Sequence, residues 1–138
     1  MPTLTHGPAT LQYETRGEGP AILFLAPGGL RASRTETWAA APWNPLDALA
    51  DRYQVVGMDQ RNTGTSFAPI TAQDGWADYA ADQLAVMDHL GIAEFFYMGY
   101  CIGGCFAGKL LERAPSRVAT PELAAELWKR SEEWTALP

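Results

Sequence analysis

Two cysteines, two histidines and a scatter of carboxylates are the groups in this 138-residue chain that can do covalent chemistry. One of them is set apart by its surroundings. Cys101 stands in Gly99-Tyr100-Cys101-Ile102-Gly103-Gly104, a G-x-C-x-G pattern between an apolar run (Phe95, Phe96, Tyr97, Met98) and a helical stretch ending near Arg113. A nucleophile on a sharp strand-to-helix turn requires this pattern. The reactive residue takes a strained backbone, and side chains two positions to either side would collide with strand or helix. The start of the helix favours negative charge, so it supports a thiolate before attack and an oxyanion after it. The chemistry expected is attack of the Cys101 sulfur on a carbonyl carbon.

A free cysteine can instead be a buried structural thiol; for Cys101 the flanking glycines decide for the nucleophile position. Cys105, one helical turn on, lacks that setting and is assigned to core packing. His89 falls at the C-terminal end of an amphipathic helix beside Asp88, where it suits the helix dipole and faces solvent. That end lies at the opposite edge of the sheet from Cys101. His6 sits in a proline-punctuated lead-in over residues 1–10. Trp38, Trp43 and Trp76 are candidates to line an acyl pocket, although aromatic residues more often serve packing. Two other chemistries fit the sequence less well. Gly103 to Leu110 approaches the phosphate-binding G-x-x-x-x-G-K-[ST] pattern but places Leu110 where a metal-binding hydroxyl is needed. The dinucleotide pattern G-x-G-x-x-G is absent.

The elements that must position Cys101 follow from periodicity. Leu11 to Thr15 reads as a short strand, and Ala21 to Ala26 is a continuous apolar run typical of a strand covered on both faces. Pro27-Gly28-Gly29 follows at its carboxyl end, with exposed backbone N–H groups, and residues 30–42 read as a loop. Asn44-Pro45-Leu46-Asp47 has the capping residue, proline and acid of a helix start. Gln54 to Met58 is the next strand. A polar loop over 59–66 leads to a helix opened by Asp74-Gly75 and closed by Gly91. On that helix Trp76, Ala80, Leu84, Met87 and Gly91 form the inward stripe, with Asp78, Asp82 and Asp88 outside it. Thr120-Pro121-Glu122 caps a last helix whose apolar residues are Leu123, Leu127 and Trp134. Alternating strands and helices mean an α/β fold with parallel crossovers.

Composition bounds the rest. Apolar residues make up 47% and charged residues 19%, as in an ordinary globular domain, and the net charge is −6. That charge argues against nucleic acid and anionic membrane surfaces as partners. No apolar run reaches membrane-spanning length, and the N-terminus lacks signal-peptide regions. Two cysteines four residues apart on one helix suit neither a disulfide nor a metal. The expectation is a cytoplasmic chain without metal or cofactor.

In order, Gly19-Pro20, Pro27-Gly28-Gly29, the loop Asp59-Gln60-Arg61-Asn62-Thr63-Gly64-Thr65-Ser66, Asp88-His89-Leu90-Gly91-Ile92 and the Cys101 corner resemble the N-terminal half of the α/β-hydrolase superfamily. The cysteine corner is similar to that of dienelactone hydrolases; the Asp-Gln-Arg loop looks like the broad esterase and aminopeptidase-like group. The resemblance covers roughly residues 11–118. It implies a hydrolase of ester, thioester or related acyl bonds with a small-molecule acyl substrate. Cys101 would be the nucleophile, with the Ile102 N–H and the Gly29 N–H as oxyanion donors. It also implies that Asp59 braces its own loop through Arg61 and the Asn62-Thr63-Gly64 turn. The family's first glycine motif usually carries a histidine, where this chain has Ala26-Pro27. The family's acid and catalytic histidine follow later strands. After Arg117-Val118, where a sixth strand should start, the sequence passes into a polar helix.

The expected fold is therefore one α/β domain over 1–138, with its core at 11–118 and an atypical helix at 120–134. It is a mostly parallel α/β-hydrolase-like sheet with flanking helices and the C-terminal half of the fold missing. The alternative function is a split hydrolase half without its own histidine and acid, acting as a non-catalytic binding or pairing module. A sheet edge left open in this way leads to an expectation of self-association.

Overall fold

The computed structural model describes residues 1–27, 37, 38, 40–118 and 120–135, with residues 134 and 135 described by backbone only. Gly28, Gly29 and the side chain of Trp134 lie outside the described residues. The chain begins with a β-hairpin, β1 (Thr3–His6) and β2 (Ala9–Arg16), joined through Gly7 at φ 55°. The sequence reads residues 1–10 as a loose lead-in. Instead, Leu4 faces Leu11 across the hairpin, and the left-handed backbone that glycine permits closes the turn.

Strands β3 (Ala21–Leu25), β4 (Gln54–Met58) and β5 (Phe96–Gly99) complete a five-stranded sheet in the order β1-β2-β4-β3-β5. The pairs β3–β4 and β3–β5 are parallel, whereas β1–β2 and β2–β4 are antiparallel. All five residues of β3 are buried. Leu23 and Leu25 enter one core with Leu11, Val56, Met58 and Phe95, while Ile22 and Phe24 enter the opposite core with Leu46, Val55 and Phe96. The twofold alternation of a strand thus explains the continuous apolar run: β3 has no solvent side to mark. Each such fully buried side chain contributes roughly 1.5–3 kcal/mol.

Helix α1 (Pro45–Ala48) is capped as its sequence predicts, with the Leu46 N–H donating to Asn44 Oδ1 at 3.1 Å. Residues 37, 38 and 40 are helical, where the sequence reads as loop. Helix α2 (Trp76–His89) and helix α3 (Gly103–Arg113) pack on the Leu23 face of the sheet. The stripe assigned to α2 is shifted. Ala80, Asp82, Gln83, Val86 and Met87 are buried, and Trp76 is 46% exposed. Asp82 goes inward because Arg61 and His6 meet it there.

Where the resemblance puts the start of a sixth strand, at Arg117-Val118, the described residues are helical, in line with the passage into a helix read from the sequence. Residues Pro115–Val118 form a single helical turn, α4, and the Phe95 N–H donates to the Arg117 carbonyl at 3.0 Å. Helix α5 (Pro121–Thr135) follows, capped by Thr120 Oγ1, which accepts from the Leu123 N–H at 3.1 Å. Leu123 packs on the Phe24 face, and the Arg130 guanidinium lies 5.0 Å from the Tyr53 ring centre.

Candidate active site

Strand β5 runs out at Gly99, and α3 begins four residues later at Gly103. The chain reverses direction in that short interval, and Cys101 takes the strain with φ 55°. A non-glycine residue with a left-handed backbone costs of order 1–3 kcal/mol and persists only where its surroundings enforce it. Here two glycines and one tyrosine do so. A Cβ on Gly99 would lie 2.6 Å from Tyr97 Oη and 3.1 Å from Gly103 Cα; one on Gly103 would lie 3.3 Å from the same hydroxyl. The G-x-C-x-G spacing is therefore a close-packing requirement at the two ends of the corner. Backbone bonds fix its inside, with the Gly103 N–H donating to the Tyr100 carbonyl at 2.8 Å and the Cys105 N–H to the Ile102 carbonyl at 3.0 Å.

Cys101 is exposed. Ile102 already has helical backbone angles (φ −60°, ψ −15°), and its N–H has no acceptor among the described residues. A backbone donor next to the nucleophile, unspent and on the first turn of a helix, can take up a developing oxyanion. Gly29, the second expected donor, lies outside the described residues. Cys105 is exposed, contrary to the core role expected of it. The buried residues of α3 are Gly103, Phe106 and Leu110, and Cys105 falls off their stripe.

Beside the corner stands an aromatic group built on Phe24, near the carboxyl end of β3. Trp38, Trp43 and Tyr100 approach its ring at 5.1, 5.9 and 6.0 Å, and Trp38 and Tyr100 are 6.4 Å apart. Tyr100 is half exposed and directly precedes Cys101, so this group adjoins the corner. Trp76 belongs elsewhere, packed on Phe106 and Tyr79 at 5.3 and 6.5 Å.

Neither histidine reaches Cys101. His6 ends β1, at the far side of the sheet from β5. Four strand spacings separate the two strands, about 19 Å. Its Nδ1 is 3.0 Å from Oδ1 of Asp82. His89 is exposed at the end of α2, its ring edge-on to Tyr13 at 5.7 Å. Asp59 is wholly buried and braces its own loop. Its Oδ2 accepts from the Thr65 N–H at 3.2 Å and from Thr65 Oγ1 at 3.3 Å, and its carbonyl accepts from Ser66 Oγ at 2.5 Å. Arg61 turns away to Asp82, donating from Nε at 2.6 Å and from an Nη at 2.9 Å.

Two features escape the sequence reading. The first is Tyr97, whose hydroxyl donates to the Gly103 carbonyl at 2.8 Å. Burial pushes this phenol well above its ordinary value of 10.0, so it is a neutral donor near pH 7. The signal was present, because a single hydroxyl in an apolar strand needs a partner once buried. The second is the His6–Asp82–Arg61 group. Its signal is the spacing of Asp82 to Val86, one helical turn apart and hence on one face. Among the described residues, no group of three or more histidine, cysteine or carboxylate side chains is arranged to hold a metal ion.

Residues 21–120 match a family model described as alpha/beta hydrolase fold. Among curated proteins, a RutD protein of Azorhizobium caulinodans, whose name proposes a carbamate hydrolase, is 34% identical over 119 residues, covering 86% of this chain and 42% of that protein. Among solved structures, the enol-lactonase of Burkholderia xenovorans LB400 aligns with a TM-score of 0.71 at 26% identity, covering 85% of this chain and 44% of that one. Est816, titled an N-acyl homoserine lactone degrading enzyme, aligns with a TM-score of 0.70 at 28% identity, covering 85% and 42%. The chain thus spans about two-fifths of the length of these relatives. With the corner at Cys101, the sheet order and the family match over residues 21–120 all in agreement, this chain belongs to the α/β-hydrolase family.

Proposed function

We propose that the chain carries the attacking half of an acyl-hydrolase site, with Cys101 as nucleophile. The observation that carries this reading is the left-handed backbone of an exposed Cys101 at φ 55°, held between Gly99 and Gly103. The Cys101 thiolate forms a bond to the carbonyl carbon, and the carbonyl electron pair moves onto oxygen. The Ile102 N–H, with the Gly29 N–H as second donor, holds that oxyanion. Collapse expels an alcohol or thiol, which takes a proton from solvent, and water then hydrolyses the acyl thioester. The substrate is a small molecule with an ester, thioester or related acyl bond. The names of the relatives fit, since a lactone is a cyclic ester and a carbamate presents the same carbonyl centre. No cofactor takes part, and a cytoplasmic setting keeps the thiol reduced.

A second reading, a pairing module, is favoured by the placement of the two histidines. Neither His6 nor His89 serves the corner, so deacylation lacks a base among the described residues. Among the described strands, β5 pairs with β3 alone, and a groove of about 460 Å³ lined by Phe96, Met98, Leu111 and Leu127 runs along its outer side. On this reading the chain self-associates through that edge.

Acylation separates the two. With p-nitrophenyl acetate, an acyl hydrolase releases p-nitrophenolate in a burst of one equivalent per chain and then turns over; Cys101→Ala abolishes both phases and Cys105→Ala leaves them. A burst that stalls supports the half-site, because water attack on the thioester needs a general base. A burst that survives Cys101→Ala contradicts the nucleophile assignment.

A further inference from the structure

We infer that Tyr97 is a positioning residue for the Cys101 corner, a role that rests on the acyl-hydrolase reading and refines it. The corner lies between two elements that must keep a fixed separation: the end of β5 and the first turn of α3. Tyr97 spans it. Its hydroxyl comes from two residues before Gly99 and meets the carbonyl of Gly103, two residues after Cys101, at 2.8 Å. The same oxygen lies 2.6 Å from a Cβ position on Gly99 and 3.3 Å from one on Gly103. One atom therefore fills the space that both glycines vacate. The glycines let strand and helix close on the hydroxyl, and the hydrogen bond prevents them from sliding apart.

The phenol is suited to this. It sits in an apolar strand, partly buried among Phe106-side core residues, and its ring also lines the groove beside β5. Burial favours its neutral form, so the donor is present over the whole neutral range. The Gly103 carbonyl belongs to the first helical turn, so the bond registers the helix start rather than its side. Releasing it lets Cys101 relax from φ 55° toward ordinary backbone angles, which swings the sulfur and the Ile102 N–H out of their shared orientation.

The test is site-resolved alkylation of the full chain by iodoacetamide, with Cys105 as internal standard because both thiols are exposed. The quantity read is the ratio of the Cys101 rate to the Cys105 rate. Tyr97→Phe keeps the ring and removes the hydroxyl. The expected result is a roughly fivefold fall in the ratio, the ordinary worth of one hydrogen bond, with circular dichroism unchanged. Gly99→Ala disturbs the same contact from the other side, and it is expected to lower the ratio by at least as much. The double variant is expected to be no worse than Gly99→Ala alone, since both changes act on one contact. If Tyr97→Phe proves unfolded, the Gly99→Ala result decides, because it keeps the hydroxyl. A high wild-type ratio that neither substitution changes overturns the inference and leaves the acyl-hydrolase reading standing. A wild-type ratio of one overturns both.

Discussion

The carboxylate of Asp82, wholly buried in α2, holds the Arg61 guanidinium through two hydrogen bonds of 2.6 and 2.9 Å. Arg61 is itself nearly buried and lies in the loop after β4, so this pair ties the loop to the helix layer. His6 adds a third contact from β1, tying in the hairpin. Removing one partner of a buried ion pair strands the other charge, which costs far more than the pair is worth over an apolar substitute.

Asp82→Ala is therefore expected to lower the unfolding free energy by about 3–5 kcal/mol, read from the urea midpoint at constant m-value. His6→Ala, at a side chain 39% exposed, should cost about 1 kcal/mol or less. Equal losses in the two variants would contradict a stabilising role centred on the Arg61–Asp82 contact.

Stability should fall in alkali. Burial raises the phenols of Tyr97, Tyr79 and Tyr53 above their ordinary value of 10.0. For an acid raised in the folded state, the stabilisation is complete below the unfolded value. It is lost as pH rises, because the unfolded chain gives up its protons first. Urea midpoints measured from pH 8 to pH 11 should hold up to about pH 9.5 and then decline. Tyr97→Phe should flatten the decline by up to about 1.4 kcal/mol per pH unit, one proton's share. A profile flat to pH 11 would contradict the burial of these phenols.

The outer edge of β5 gives a prediction about assembly. A strand edge flanked by apolar walls invites pairing. Light scattering should show a mass that rises with concentration above that of one chain, and Leu127→Lys, which places a charge at a residue 43% exposed on the groove wall, should shift it back. A monomer at every concentration would contradict self-association.

What was legible in the sequence follows from how local each determinant is. The Cys101 corner could be read because its two glycines and its nucleophile lie within five residues. The Asn44 and Thr120 caps were legible for the same reason. The apolar run of β3 marked a strand buried on both faces, and both faces are covered. Non-local partners were not legible. Nothing near Asp82 in the sequence names Arg61 or His6, so by periodicity alone this charged residue reads as solvent-facing. Cys105 reads as a core residue but is exposed, because helix phase on α3 is set by Phe106 and Leu110 against the sheet, which a glycine-rich start does not reveal. The first strand of the hairpin is hidden in the sequence by Pro2 just before it and Pro8 in its turn, neither of which breaks the pairing. In the sequence Tyr97 reads as one more apolar strand residue, whereas its hydroxyl bonds across the corner.

The central claim is that the corner, rather than simple exposure, makes Cys101 a nucleophile, and the most direct measurement compares the two thiols of the wild-type chain. Both are exposed and lie four residues apart, so access alone gives them similar rates. Site-resolved iodoacetamide labelling at pH 7 should modify Cys101 at least several-fold faster than Cys105, because it alone occupies the strained turn at the start of the helix. Equal rates at the two positions would contradict the account.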